Sequence, residues 1–323
     1  MLNVNGRVAI ALAVLLAALA VGVGLHAGYR EMDVDELVYR RTLVAMRHGE
    51  NYYGAMRDAL VRKEGAPPTE VRSVRPPTMF LLLYRLPPSS WRWVVGVVYL
   101  ATLLLVWRLA PAPTEWAQPA AVVLGGFWVI GAAPLLFLHS ELWGLPLFLG
   151  GLVAFRHRRW EVAAVLFGGA VLFRETYAVA FVLALALAGR RRAFWAAAAV
   201  LVALAAVHVA LAQQALSAHG REPAFGASGL SPHYILSALS PSDRPVGWAI
   251  GLAGDALGLC AVLRLRRTDL AARLVLAVAA VLVPATIFFG RQYWGITFGV
   301  ALACFAPAAL ARTTTPSAAA PPP

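Results

Sequence analysis

Three carboxylates, Asp33, Asp35 and Glu36, stand close together just beyond the first apolar run of the chain. A carboxylate beside a low-dielectric surface can be tuned to take a proton from a hydroxyl, and such general base catalysis contributes about 10² to 10⁴ in rate. The same acids would also be favourable at the start of a helix through the dipole alone, so capping stands beside base chemistry as a reading of each. Further along, the breaks between apolar runs carry Arg75, then His139 with Glu141, then Arg174 with Glu175 and Tyr177, then His233, then Arg291. Acids, arginines, histidines and aromatics that converge on one face of a membrane are what a site needs to handle a charged headgroup attached to a lipid.

The elements that must position these residues follow from composition. Only 14% of the residues are charged and 60% are hydrophobic, against roughly 25% charged in an ordinary soluble domain. Apolar runs long enough for a ~30 Å hydrocarbon core recur along the chain, and no polar stretch is long enough for a separate soluble domain. The expected fold class is therefore all-α: a polytopic membrane protein of about ten transmembrane helices, with an outer first loop that carries surface helices. Residues 1–312 form one membrane domain in this reading, and the Ala/Pro/Thr tail 313–323 is expected to be disordered.

The spans are expected at about Val8 to Ala27, Trp91 to Leu109, Pro119 to Leu138, Leu142 to Phe155, Glu161 to Phe173, Thr176 to Ala188, Ala193 to Ala212, Val246 to Leu263, Asp269 to Phe289 and Tyr293 to Leu310. The formal net charge of +12 gathers in short loops at Arg156 to Arg159, Arg190 to Arg192 and Arg264 to Arg267, with Arg108 and Arg312. That is how cytoplasmic loops are marked, and it argues against a nucleic-acid partner. Both termini then fall on the cytoplasmic side, with the first span read as uncleaved and a signal cleaved near Ala27 as the alternative, and the chemically varied turns all fall outside. Every basic residue except Lys63 is arginine and alanine abounds, which points to a GC-rich bacterial genome and so to a bacterial plasma membrane.

Within the outer segment 28–90, Asn51 is placed to cap a helix from Tyr52 to Glu64, with Tyr53, Met56 and Leu60 as its apolar stripe, lying on the membrane surface. Pro76 to Leu86 is too short to cross and reads as a re-entrant or partly embedded helix. Two short runs meeting at Arg174 and Glu175 predict a hairpin that lowers a charged pair into the bilayer, an expensive arrangement and by default a functional one. Cys260 and Cys304 lie inside apolar runs and read as packing residues.

The Met32 to Tyr39 stretch with its acidic pair, the Gly-Glu-Asn-Tyr-Tyr run at Gly49 to Tyr53, and Arg75-Pro76-Pro77 leading into an apolar segment together resemble the GT-C superfamily, chiefly over Val8 to Leu109. These are membrane glycosyltransferases that use polyprenyl-phosphate sugars, and the likeness is greatest to bacterial mannosyl- and arabinosyltransferases. The resemblance implies an inverting enzyme whose first-loop aspartate is the base, which maps onto Asp35 with Asp33 as its rival. It implies a polyprenyl-phosphate-linked sugar donor, a cell-envelope glycan or glycolipid acceptor, and surrounding membrane lipids as partners. Charge builds on the departing phosphate, so Arg75, Arg174 and Arg291 become its expected partners, with Glu36, Glu175, His139 and His233 as further substrate-binding candidates. Each arginine also reads as an interfacial side chain reaching for water, and each histidine as simply hydrogen-bonded. The residues leave any cofactor or metal requirement open. A transporter or flippase of envelope precursors is the alternative function, since it would also use an intramembrane charged pair.

Overall fold

The computed structural model describes residues 4–28, 34–64, 74–112, 114–136, 140–217, 245–289 and 293–310, and all of its regular structure is helical. Helix α1 spans Val4–Gly28, α2 Val34–Arg47, α3 Tyr52–Glu64, α4 Thr78–Leu83, α5 Pro88–Leu109, α6 Ala117–Leu136 and α7 Ser140–Arg156. Then come α8 Trp160–Phe173, a 3₁₀ turn Glu175–Tyr177, α9 Ala178–Ala188, α10 Arg192–Ser217, α11 Pro245–Leu265, α12 Leu270–Phe289 and α13 Tyr293–Leu310. Each apolar run expected as a span is a helix here, with ends that differ from the expectation by a few residues.

Three of these helices are long and apolar enough to cross a membrane: Gly6–Val23 within α1, Pro88–Leu109 and Arg192–Leu216. Helix α10 has the kind of surface that such a crossing needs. Its Val200, Val202, Leu204 and Val207 are all exposed, and a contiguous apolar face of that kind suits hydrocarbon. Leu15 and Leu19 on α1 and Trp93 and Val97 on α5 repeat the pattern.

Packing among the helices relies on small residues, as expected where close backbone approach rather than water exclusion drives association. Helix α1 packs on α5 and α6, α7 on α5 and α8, and α11 on α13. At Gly258 of α11 a Cβ would lie 2.5 Å from the Leu302 carbonyl oxygen of α13, so only glycine allows this approach. A Cβ on Gly144 of α7 would collide with the Tyr177 ring, which lets the 3₁₀ turn press against the start of α7.

Helices α2 and α3 pack against each other. Gly49, with φ of +93°, turns the chain between α2 and α3, a conformation glycine adopts without strain. Asn51 caps α3 as expected, its Oδ1 accepting the Gly54 N–H at 2.9 Å. Met56 and Leu60 are buried while Arg62 is exposed, in keeping with the expected stripe. The helix packs against α2 and α10. The segment expected to be re-entrant contains only the six-residue α4, whose Leu81 and Leu82 are exposed and whose Phe80 and Leu83 are buried.

Candidate functional site

Helix α8 ends at Phe173, and Arg174 leaves the helix in an extended conformation, with φ of −152° and ψ of 126°. The 3₁₀ turn then restarts the chain into α9. This is the predicted hairpin, and the break aims the Arg174 side chain back into the protein. Its partner there is Glu141, in the first turn of α7: Nη2 lies 2.8 Å from Oε1, with Arg174 4% and Glu141 1% exposed. The neighbouring Glu175, expected as the partner, is farther from the guanidinium, 3.7 Å from Nε, and is half exposed. Arg174 Nη1 and Nε are buried without a hydrogen-bond partner among the described residues.

Glu141 is held in turn by its own surroundings. The Tyr177 hydroxyl donates to the Glu141 carbonyl oxygen at 2.6 Å, tying the 3₁₀ turn to the head of α7. The Phe148 ring packs 5.6 Å from that of Tyr177. An ion pair buried this completely is stable only with such fixed geometry around it, because desolvation of both charges opposes it.

Arg75 extends the chain of charges outward. Its Nη1 lies 3.2 Å from Glu175 Oε1, so Arg75, Glu175, Arg174 and Glu141 form an alternating row with no net charge. Two consecutive tyrosines of α3 hold the backbone that carries Arg75. The Tyr52 hydroxyl donates to the Arg75 carbonyl oxygen. The Tyr53 hydroxyl meets His208 Nδ1 at 3.1 Å, and His208 Nε2 meets the Val74 carbonyl oxygen at 3.2 Å. A carbonyl can only accept, so Nε2 carries the proton and Nδ1 accepts from Tyr53. Thr78 donates to the Leu172 carbonyl at 2.6 Å and pins α4 to the end of α8.

Electrostatically, burial works against charge on Arg75, but Tyr39, Glu175 and Glu141 outweigh it, and the guanidinium holds its proton more firmly than a free arginine. Tyr39 also hydrogen-bonds the Arg75 side chain. Helix α2 therefore reaches the charged row through Tyr39, four residues after Asp35. Burial raises the phenol of Tyr52 well above its ordinary value and that of Tyr53 in the same direction.

Of the residues expected at a site, Arg75, Arg174 and Glu175 come together. Asp35 and Glu36 lie in the first turn of α2, where the dipole favours acids. Asp33, His139, His233 and Arg291 lie outside the described residues. Tyr39, Tyr52 and His208 were not singled out as site residues, although a histidine inside the apolar run of α10 is a signal in its own right. Among the described residues no group of histidine, cysteine or acidic side chains is arranged to hold a metal ion.

At its other end α7 carries a second ion pair, Arg156 with Asp269 at 2.8 Å. Asp269 also caps α12 through the Ala271 N–H at 2.8 Å, so this pair is explained by helix anchoring. The chain matches no protein-family model, no curated protein and no solved structure.

Proposed function

We propose that this chain is an inverting membrane glycosyltransferase, moving mannose or arabinose from a polyprenyl-phosphate donor to a cell-envelope glycan or lipid acceptor on the outer face of a bacterial plasma membrane. The observation that carries the reading is the row Arg75, Glu175, Arg174 and Glu141, in which Glu175 is half exposed and the other three are mostly or wholly buried. It lies at the helix ends opposite the arginine-rich loops 156–159, 190–192 and 264–267.

Ten crossings with both termini inside would put that row at the outer headgroup level, where a lipid phosphate resides. In the reaction, Asp35 takes the proton of the acceptor hydroxyl, whose oxygen attacks the anomeric carbon. The bond from that carbon to the phosphate oxygen breaks with inversion. The bond electrons leave with the lipid phosphate, whose growing charge Arg75 and Arg174 stabilise. Asp33 is the rival base. His139, His233 and Arg291 complete the proposed outer cluster.

Transport of an envelope precursor is the second reading. It is favoured by Asp255 in the middle of α11, whose carboxylate oxygens are buried without a hydrogen-bond partner among the described residues.

The deciding experiment incubates purified protein with radiolabelled polyprenyl-phosphate mannose or arabinose and an envelope-glycan acceptor. Transfer of label to the acceptor supports the transferase. Movement of the lipid across a vesicle bilayer without transfer supports transport. The topology is checked by single cysteines in a background lacking Cys260 and Cys304: Ala66→Cys and Ser228→Cys should label from outside, Arg158→Cys and Arg191→Cys should not. Outside labelling at position 191 would remove the one-sided site.

A further inference from the structure

We infer that Glu175 is a displaceable internal anion: its carboxylate occupies the position between Arg75 and Arg174 that a phosphate takes when ligand binds, and it sets how strongly that position discriminates among anions. The inference rests on the reading of Arg75 and Arg174 as phosphate-binding and goes beyond it by giving Glu175 a role opposed to binding.

Three observations lead to it. A single oxygen, Glu175 Oε1, is approached by both arginines, at 3.2 Å from Arg75 Nη1 and 3.7 Å from Arg174 Nε. The two arginines are mostly buried, 19% and 4% exposed, while Glu175 is 53% exposed. The one group able to swing away into solvent is thus the carboxylate. Finally, each arginine is anchored by something other than Glu175: Arg174 by Glu141, Arg75 by Tyr39 and by the Tyr52 bond to its backbone. Removing the carboxylate therefore leaves two cations already in place.

The contact geometry adds a directional argument. At 3.7 Å the Arg174 Nε to Glu175 contact is an ion pair beyond hydrogen-bond reach. Nε and Nη1 of this nine-tenths-buried side chain remain donors without acceptors among the described residues. A carboxylate tethered to the residue next to Arg174 cannot satisfy both arginines well. A phosphate carries several acceptor oxygens and is free to settle between them, so it makes charge-assisted hydrogen bonds where Glu175 makes one contact within reach and one long one.

The test measures equilibrium binding of ³²P-labelled dodecyl phosphate and of ³²P-labelled inorganic phosphate to the full-length protein in micelles of an uncharged detergent. Wild type, Glu175→Gln, Arg75→Gln and the double variant are compared, with thermal unfolding to confirm folding. Glu175 is half exposed, so Glu175→Gln should fold normally. Glu175→Gln is expected to bind at least about tenfold tighter than wild type, a gain of the size of one charge-assisted hydrogen bond, and the double variant should lose that gain. A gain with both probes means that the position reads phosphate alone. A gain with dodecyl phosphate only means that it reads a membrane-borne phosphate. Either result supports displacement. Equal or weaker binding by Glu175→Gln, with Arg75→Gln still weakening wild-type binding, overturns displacement and leaves the phosphate reading standing. A gain that survives Arg75→Gln also overturns it, as a diffuse charge effect. If no variant binds either probe, the phosphate reading fails and displacement falls with it.

Discussion

Arg174 and Glu141 meet at 2.8 Å across the gap between the end of α8 and the start of α7, almost wholly shielded from solvent. Removing one partner leaves the other charged in a low-dielectric site, whereas removing both does not. Glu141→Ala should therefore destabilise the protein by about 3–5 kcal/mol, and the Glu141→Ala, Arg174→Met double variant by clearly less. Thermal unfolding of the two in one detergent is the check. A double variant no more stable than the single would mean that the pair is not the unit that matters.

Helix packing offers a paired comparison on one helix. A Cβ at Gly258 of α11 would lie 2.5 Å from the Leu302 carbonyl oxygen, while one at Gly254, a turn earlier, meets nothing within 4 Å. Alanine is favoured over glycine in a helix interior by up to about 1 kcal/mol. Gly254→Ala should thus be neutral or mildly stabilising. Gly258→Ala should cost about 1–3 kcal/mol, because the obstacle is backbone rather than a movable side chain. Equal unfolding temperatures for the two would contradict the packing of α11 on α13.

Alkaline pH should act through Tyr52. Burial raises its folded-state pKa well above the ordinary 10.0, so the folded protein holds the phenolic proton more tightly than the unfolded chain does. The resulting stability is fully present below pH about 10 and is lost as pH rises through the folded value. Tyr52→Phe should flatten this alkaline decline, and at neutral pH it should cost about 1 kcal/mol through the lost bond to the Arg75 carbonyl. Urea unfolding at pH 7 and at successive values above 9 measures both effects. Tyr53, raised in the same direction by burial, should leave part of the decline in place.

Helix positions were legible because apolar runs separated by arginines, glycines and prolines leave few alternatives for the chain. Asn51 and the helix after it followed from capping chemistry together with the apolar stripe of Tyr53, Met56 and Leu60. The break at Arg174 was legible for a related reason, since two runs too short to cross imply a turn between them. Its partner was not. Glu175 is next in sequence, but adjacent residues do not face each other, and the extended backbone at Arg174 turns the guanidinium toward Glu141 on another helix. The Tyr53, His208 and Val74 link joins α3, α10 and the approach to α4, and no periodicity in one segment reports a contact among three. Asp255 leaves no mark on the sequence pattern, because one acid barely alters an apolar run.

The sharpest prediction concerns the proposed base. Asp35 opens α2 and stands one turn before Tyr39, which hydrogen-bonds Arg75 in the charged row. The helix that carries the acid is thus tied to the residues proposed to hold the donor phosphate. Asp35→Asn keeps the size and most of the hydrogen bonding of the side chain but cannot accept the acceptor's proton at neutral pH. Donor binding should survive while turnover falls by about 10² to 10⁴. Asp33→Asn should cost far less if Asp33 serves only the dipole at the start of α2. The measurement is single-turnover sugar transfer by each variant, after matched insertion and folding are confirmed. Near-normal transfer by Asp35→Asn with loss in Asp33→Asn would move the base to Asp33. Near-normal transfer by both would end the assignment of base chemistry to these two aspartates and with it the transferase reading that rests on them, leaving Glu31 and Glu36 as the other acids between α1 and Tyr39.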